Sequence, residues 1–341
     1  MSLMAKLKKN SKIQLAETLE KSSLFGDTEV VKTDVPMMNV ALTGSLEGGI
    51  TPGLTVLAGP SKHFKTSFAL KMAAAYLEAK PDAVMLFYDS EFGSPQAYFE
   101  TFGINMGRVL HVPITDVEEL KFDLVSQLDN LEKDDDVIVV IDSIGNLASK
   151  KELEDALSEK SVADMSRAKA LKGLFRMVTP YLAMKNIPML AINHTYKEIG
   201  LFPKDIVGGG TGIYYSANNI WIIGRRQNKT GTEVTGYDFV IKVEKSRFVK
   251  EQSKIPISVS WEGGIDQYSG LLDVAMAGGY VVKPSNGWYA KATDPEKKYR
   301  ASQLDGDFWG DLLHDDEFST FVEKQYQIGH ADQVDLEIEV E

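Results

Sequence analysis

An α/β fold, a mainly parallel central sheet with helices on both faces, is what this 341-residue sequence predicts. Three observations lead there. Short β-rich runs recur at 54–58, 83–88, 137–141 and 188–192, and most are almost wholly apolar, as strands covered on both faces are. Helical stretches lie between them at 67–79, 117–132 and 162–185. Strand and helix in alternation give right-handed crossovers and a parallel sheet.

The flanking elements are read in chain order. The first dozen residues hold Lys6, Lys8, Lys9 and Lys12 and no acid. A helix is expected next, striped by Ile13, Leu15, Leu19 and Leu24 and broken at Gly26-Asp27. One such helix cannot bury its own stripe, so it should pack on the body or on a neighbouring subunit. After residue 215 the texture changes. Runs at 219–223, 237–244 and 255–261 follow without long helices and should extend the sheet as antiparallel strands. Shorter pieces and an acidic tail follow Gly270. Three parts are expected: an arm at 1–33, a core at 34–268 and a small α/β C-terminal domain at 269–341.

Composition excludes several chemistries. There is no cysteine, so disulfides, cysteine zinc sites and thiol catalysis are out. No apolar run approaches the roughly 18 residues of a membrane span. The leading MSLMAKLKKN lacks the apolar segment of a secretory signal, and a cytoplasmic protein without membrane partners is expected. The net charge of −12 is uneven: residues 301–341 hold twelve Asp/Glu and one Lys, which leaves −1 for the first 300. The tail therefore says little about the body. Such a tail keeps a protein soluble, or competes with phosphate for a basic groove.

Residues 54–58 run directly into Gly59-Pro60-Ser61-Lys62-His63-Phe64-Lys65-Thr66-Ser67 and a helix. This is the phosphate-loop pattern with Phe64 in place of its second glycine. Backbone N–H groups at the helix start cradle phosphate oxygens, Lys65 reaches the β and γ phosphates, and the Thr66 hydroxyl holds Mg²⁺. By itself the match also fits a chance strand–turn–helix. A further apolar strand, 137–141, ends in Asp142-Ser143 and supplies the acid that orients Mg²⁺ through water. Functional groups of a parallel sheet gather at its carboxyl end, so Gly59 and Asp142 converge on an ATP–Mg²⁺ site. Run 83–88 leads to Glu91, a general base for water or merely a solvated acid. Run 188–192 leads to Asn193-His194, a phosphate sensor or a structural histidine.

The segments MMNVALTGSLEGGI, GLTVLAGPSKHFKTS, LFYDSEFG, VVIDSIGNLASKKE, LAINHTY, GGGTG and VEKSRFVKE together resemble RecA-type recombinases over roughly residues 30–290. Phe64 and His194 depart from bacterial RecA and are similar to the branch found in T-even-like phages. The resemblance implies a RecA-type ATPase core. It implies that Glu91 is the catalytic glutamate, that His194 reports the γ-phosphate to the DNA-binding loops, and that Tyr98 stacks on adenine. Lys245 and Arg247 then reach ATP across a subunit boundary, like arginine fingers.

The first DNA-binding loop corresponds to 149–164, supported by a helix bearing Arg167, Lys169, Lys172 and Arg176. The second corresponds to 196–212, with Lys197, Ile199, Phe202, Lys204 and Gly208, Gly209 and Gly210. Cations neutralise phosphates, Ile199 wedges between bases, and the glycine backbone approaches phosphate closely. On composition alone those glycines read as a flexible linker and the cations as a solvated face.

The implied activity is a DNA-dependent ATPase forming helical filaments on single-stranded DNA and exchanging strands with a homologous duplex. Its partners would be its own copies, a recombination mediator and a single-strand-binding protein, in the host cytoplasm if phage-encoded. A hexameric helicase shares the core, but the stretch before residue 34 is too short for its usual N-terminal domain. An ATP-gated DNA-binding mediator with little turnover is the other alternative. Lys65, Thr66, Glu91 and Asp142, all present, argue against it.

Overall fold

The computed structural model describes residues 2–13, 15–22, 29–133, 135–158, 166–198, 203–230, 233–261 and 263–329. Strand β1 (Gly53–Ala58) is buried along its whole length and sits mid-sheet, parallel to β5 (Pro188–Asn193) on one side and β8 (Ala217–Thr230) on the other. Outward from β5 come β4 (Val137–Asp142), β2 (Val84–Asp89) and the edge strand β3 (Val109–Pro113), all parallel. Outward from β8 come β9 (Glu233–Ser246), β10 (Lys254–Ser260) and β11 (Gly264–Ile265), each antiparallel to its neighbour. Among the described residues the order is β11-β10-β9-β8-β1-β5-β4-β2-β3.

The reversal of direction falls one strand later than the sequence suggested. Run 219–223 lies in β8 and is parallel to β1, because the short helix α8 (Thr211–Ser216) returns the chain to the end where β1 begins. The antiparallel part starts at β9.

Alternation along the strands divides the core. Leu54, Val56 and Ala58 pack with Ile220 and Ile222 against α5 (Val117–Asn130) and α7 (Ser166–Met184). Leu57, Trp221 and Ile223 face α2 (Pro36–Thr43) and α3 (Lys65–Ala79). A residue's face follows from its parity, so the central strands β1, β4 and β5 are sealed on both sides. The C-terminal elements α9 (Leu271–Ala277), β12 (Val281–Ser285), β13 (Trp288–Lys291), α10 (Gly306–Leu313) and α11 (Asp316–Tyr326) add Phe308, Trp309, Phe318 and Val322 to the α3 side. Shorter pieces are α4 (Gln96–Thr101), α6 (Lys150–Leu157) and the hairpin β6 (Thr195–Lys197) with β7 (Asp205–Val207).

The N-terminal helix differs from expectation. It is α1 (Leu3–Asn10), capped by the Ser2 hydroxyl, which accepts from Ala5 N–H at 3.2 Å, and closed by Lys8 and Lys9 in its last turn. An N-cap serine and C-terminal lysines both favour a helix at that position. Ile13, Leu15 and Leu19 stay exposed beyond it, with a single 3-10 turn at Leu19–Lys21, and Leu24 lies outside the described residues.

Candidate active site and nucleic-acid interface

The phosphate loop follows β1 at the carboxyl end of the parallel strands. A Cβ on Gly59 would meet the Ile223 carbonyl at 2.9 Å, so the close pass of β8 requires glycine there. Phe64 occupies the left-handed region at φ +61°, where a glycine would ordinarily sit, and provides no side-chain cap to the first turn of α3. Its ring stacks on Phe239 with centroids 5.1 Å apart and meets Phe68 edge-on at 5.8 Å. Aromatic packing thus offsets the backbone cost of a bulky residue in that conformation.

Lys65 folds back so that its Nζ donates to the Pro60 carbonyl at 2.8 Å. Burial lowers its pKa, and the charges of Glu91 and Asp142 oppose that. The Thr66 hydroxyl donates to Asp142 Oδ2 at 2.8 Å. Asp142 Oδ1 is buried and has no hydrogen-bond partner among the described residues. Burial raises the Asp142 pKa to about 6, with repulsion from Glu91 and Asp89 adding to it and the Thr66 bond opposing it. An orphaned carboxylate oxygen beside a hydroxyl, among other acids, suits the water shell of a hard divalent cation such as Mg²⁺.

Glu91 stands in a turn beyond β2, built by Asp89. Asp89 Oδ1 accepts from the N–H groups of Glu91 at 3.0 Å and Phe92 at 2.8 Å, and its Oδ2 lies 3.2 Å from His111 Nε2. Glu91 Oε1 accepts a hydrogen bond from Ser143 Oγ at 2.8 Å and lies 3.3 Å from His194 Nε2. Register explains the meeting: β2 and β4 are neighbours with Asp89 opposite Asp142, so the residues just past each strand end converge.

One cleft of about 440 Å³ is lined by Ser61, Lys62, His63, Phe64, Lys65, Thr66, Ser67, Glu91, Tyr98, Asp142 and His194. Gly59 and Pro60 precede these residues in the loop and are not among the lining. Tyr98, on α4, hydrogen-bonds through its hydroxyl to the Ser67 hydroxyl, and burial raises its pKa. Burial also lowers the pKa of His63.

The aromatic wall was not anticipated from sequence. It consists of Arg225, Tyr237, Phe239, Val259 and Trp261, with Arg225 over the Tyr237 ring at 4.5 Å and donating to the Lys62 carbonyl at 3.0 Å. The available signal was Tyr237 and Phe239 two apart on an alternating strand. Ser143 and Gly145 were also missed, although they lie within three residues of Asp142. A Cβ on Gly145 would sit 2.4 Å from His194 Cδ2.

Lys245 and Arg247 stand elsewhere. Ser246 is paired with Asn219, which lies opposite Thr55 near the start of β1, about 13 Å of strand from the phosphate loop. Lys245 Nζ donates to the carbonyls of Tyr214 and of Ala217, the latter at 2.8 Å, and burial lowers its pKa. Arg247 is exposed, one residue beyond β9. The geometry separates this pair from the cleft of its own chain.

Of the cations on α7, Lys169, Lys172 and Arg176 are exposed. Arg167 is different: its guanidinium donates to the carbonyls of Leu147 at 2.6 Å, Ile144 at 2.8 Å and Gly145 at 3.0 Å, fastening the chain after β4 to α7. The stretch expected as a first loop opens as helix α6, with a capping box between Ser149 and Glu152. Residues 159–165, Ile199 and Phe202 lie outside the described residues. Lys197 pairs with Asp205 at 2.8 Å.

Gly208 and Gly209 are held against the fold, unlike a linker, and Gly210 is exposed. Gly208 N–H donates to the His194 carbonyl at 3.0 Å and its own carbonyl accepts from Asn193 Nδ2 at 2.7 Å. Its N–H is therefore committed within the chain, where the sequence reading had it facing phosphate. Gly209, at φ +92°, would place a Cβ 2.8 Å from Ile213 Cδ1, and Gly210 precedes α8 at φ +77°.

A mainly parallel sheet with a phosphate loop after one strand, an acid ending another and a glutamate–histidine pair beside them defines a RecA-type nucleotide-binding core. The comparisons agree. The family model of the RecA N-terminal domain matches residues 6–266, and that of the C-terminal domain of the bacteriophage T4 recombination and repair protein, UvsX, matches residues 268–322. The chain is 50% identical over 340 residues to the recombination and repair protein of Enterobacteria phage T4, covering 97% of this chain and 87% of the relative. It is 26% identical to RecA of Paracoccus denitrificans, covering 78% of this chain and 77% of the relative, and 26% identical to RecA of Thermus aquaticus, covering 83% and 85%. The chain belongs to the RecA family of recombination and repair proteins, with the UvsX-type C-terminal domain. No helix among the described residues is long and apolar enough to cross a membrane.

Proposed function

We propose that this chain is an ATP-dependent DNA recombinase. It polymerises as a helix on single-stranded DNA, pairs that DNA with a homologous duplex and exchanges strands, hydrolysing ATP as it does so. The observation that carries this is the division of the chemistry between two ends of one sheet. Lys65, Thr66, Glu91, Asp142 and His194 share the cleft, whereas Lys245 and Arg247 lie beyond reach of it, beside the start of β1. A head-to-tail neighbour would bring its cations to this cleft, and a contact between unlike patches builds an open helix.

In this reading the N-terminus of α3 and Lys65 hold the triphosphate, and Tyr98 packs on the base. Thr66 and Asp142 would hold Mg²⁺ through water, and the ion would neutralise phosphate charge. Glu91 takes the proton of the attacking water. His194, whose carbonyl is bonded to Gly208, links the terminal phosphate to the glycine run. Lys245 and Arg247 of the adjacent copy stabilise charge on the transferred phosphoryl group. Lys169, Arg176, Lys197, Gly209 and Gly210 face DNA, with Gly208 tying them to His194 and Ile199 as the apolar wedge, and sequence choice is left to base pairing.

The division into 1–33, 34–268 and 269–341, the mediator and single-strand-binding partners, and a place in the host cytoplasm belong to the same proposal. The test is ATP hydrolysis with and without single-stranded DNA, beside Lys65→Ala, with negative-stain imaging. DNA-stimulated turnover on extended helices, lost in Lys65→Ala, is expected. Closed rings or DNA-independent turnover would overturn it.

A further inference from the structure

Ser143 follows Asp142 directly and has no part in the assignments above. It is fully buried, and its hydroxyl reaches the cleft only through another residue. That residue is Glu91: Ser143 Oγ donates to Glu91 Oε1 at 2.8 Å. The serine is itself held on both sides of its peptide. Its N–H donates to Ser90 Oγ at 3.0 Å, the Ser90 hydroxyl donates to the Ser143 carbonyl at 2.7 Å, and Ser90 N–H donates to the Asp142 carbonyl at 2.9 Å. This reciprocal staple joins the ends of β2 and β4. Asp89 fixes the turn beneath Glu91 through the Glu91 and Phe92 N–H groups.

We infer that Ser143 is the positioning residue for Glu91, and the inference rests on the reading of Glu91 as general base. A glutamate at the tip of a turn has several rotamers, and only those that point into the cleft serve catalysis. The Ser143 hydroxyl selects among them by holding Oε1, which leaves Oε2 to accept the proton of water. It does so as a neutral hydrogen-bond donor. His194 also touches Oε1, but from a side chain exposed to the cleft. Ser143 is buried within the fold and holds the carboxylate before nucleotide arrives.

The experiment is a double-mutant cycle on the full chain, read by DNA-stimulated ATP hydrolysis and by equilibrium binding of a fluorescent ATP analogue with Mg²⁺. Ser143→Ala should lower kcat about tenfold while KM and analogue affinity stay within about twofold. In the Glu91→Ala background the same change should alter residual turnover by less than about twofold, because a positioning residue has nothing left to position. If the two losses multiply, if KM rises with kcat unchanged, or if Ser143→Ala turns over at the parental rate, the inference is wrong. If Glu91→Ala alone turns over at the parental rate, the general-base reading falls and takes this inference with it. Should Ser143→Ala not fold, Ser143→Gly removes the same hydroxyl and is read identically.

Discussion

Phe64 lies against Phe239 with the ring planes 21° apart, and it keeps this stack while its backbone sits at φ +61°. The phosphate loop is thereby tied to β9 by a side chain in a conformation that disfavours side chains. A non-glycine residue there costs about 1–2 kcal/mol. Phe64→Ala loses the stack and keeps the strain, whereas Phe64→Gly loses the stack and relieves the strain. The glycine variant should therefore be more stable than the alanine variant by about 1 kcal/mol in urea unfolding, and both less stable than the parent. Equal stability of the two variants would refute the strain.

Gly145 and His194 leave no room for a methyl group between them. Gly145→Ala should push His194 off Glu91 and cut DNA-stimulated kcat about tenfold or more, with ATP-analogue binding retained. Turnover at the parental rate would show that the histidine contact is dispensable.

Neighbouring cations on α7 should separate cleanly. Arg167→Met loses charged hydrogen bonds to three carbonyls and should cost about 2–3 kcal/mol in unfolding. Lys169→Ala and Arg176→Ala should change stability by less than about 0.5 kcal/mol. Each should instead reduce the slope of log affinity for single-stranded DNA against log salt by about 1. A DNA defect in Arg167→Met with parental stability would reverse these roles.

Much of this was legible because apolar runs stop at glycine or at polar residues. Ala58 to Gly59, Ile141 to Asp142 and Ile192 to Asn193 mark strand ends, and parallel strands place those ends together. The aromatic wall was not legible, since Tyr237, Phe239 and Trp261 reach the cleft only once β9 and β10 are placed beyond β8. The meeting of Glu91 with Ser143 needed the β2–β4 register. Arg167 and Lys169 look alike in sequence, yet α7 turns one toward the chain after β4 and the other to solvent. Edge strand β3 escaped notice because its burial is partial and mixed.

Asp142 should trade stability for cation binding. Burial raises its pKa from 3.8 to about 6, so without nucleotide the charged form is penalised in the fold. The sign follows: this group's contribution is most favourable below pH 4 and is lost as pH rises through about 6. Asp142→Asn should therefore stabilise the nucleotide-free protein at pH 7 by about 1–3 kcal/mol, and the gain should vanish toward pH 4. Mg²⁺-dependent turnover should be lost in the same variant. A loss of stability at pH 7 would contradict the unpaired state of its Oδ1.

The placement of the phosphate loop and the Lys245–Arg247 pair at opposite ends of the sheet has a counting consequence. If neighbours complete one another's sites, a row of n copies holds n − 1 whole sites, and one terminal cleft always opens on solvent. Activity per chain then grows with row length, and dilution silences the enzyme without unfolding it. The bare terminus is also chemically unique along the row, which gives a capping molecule a way to set length or direction by recognising that single end.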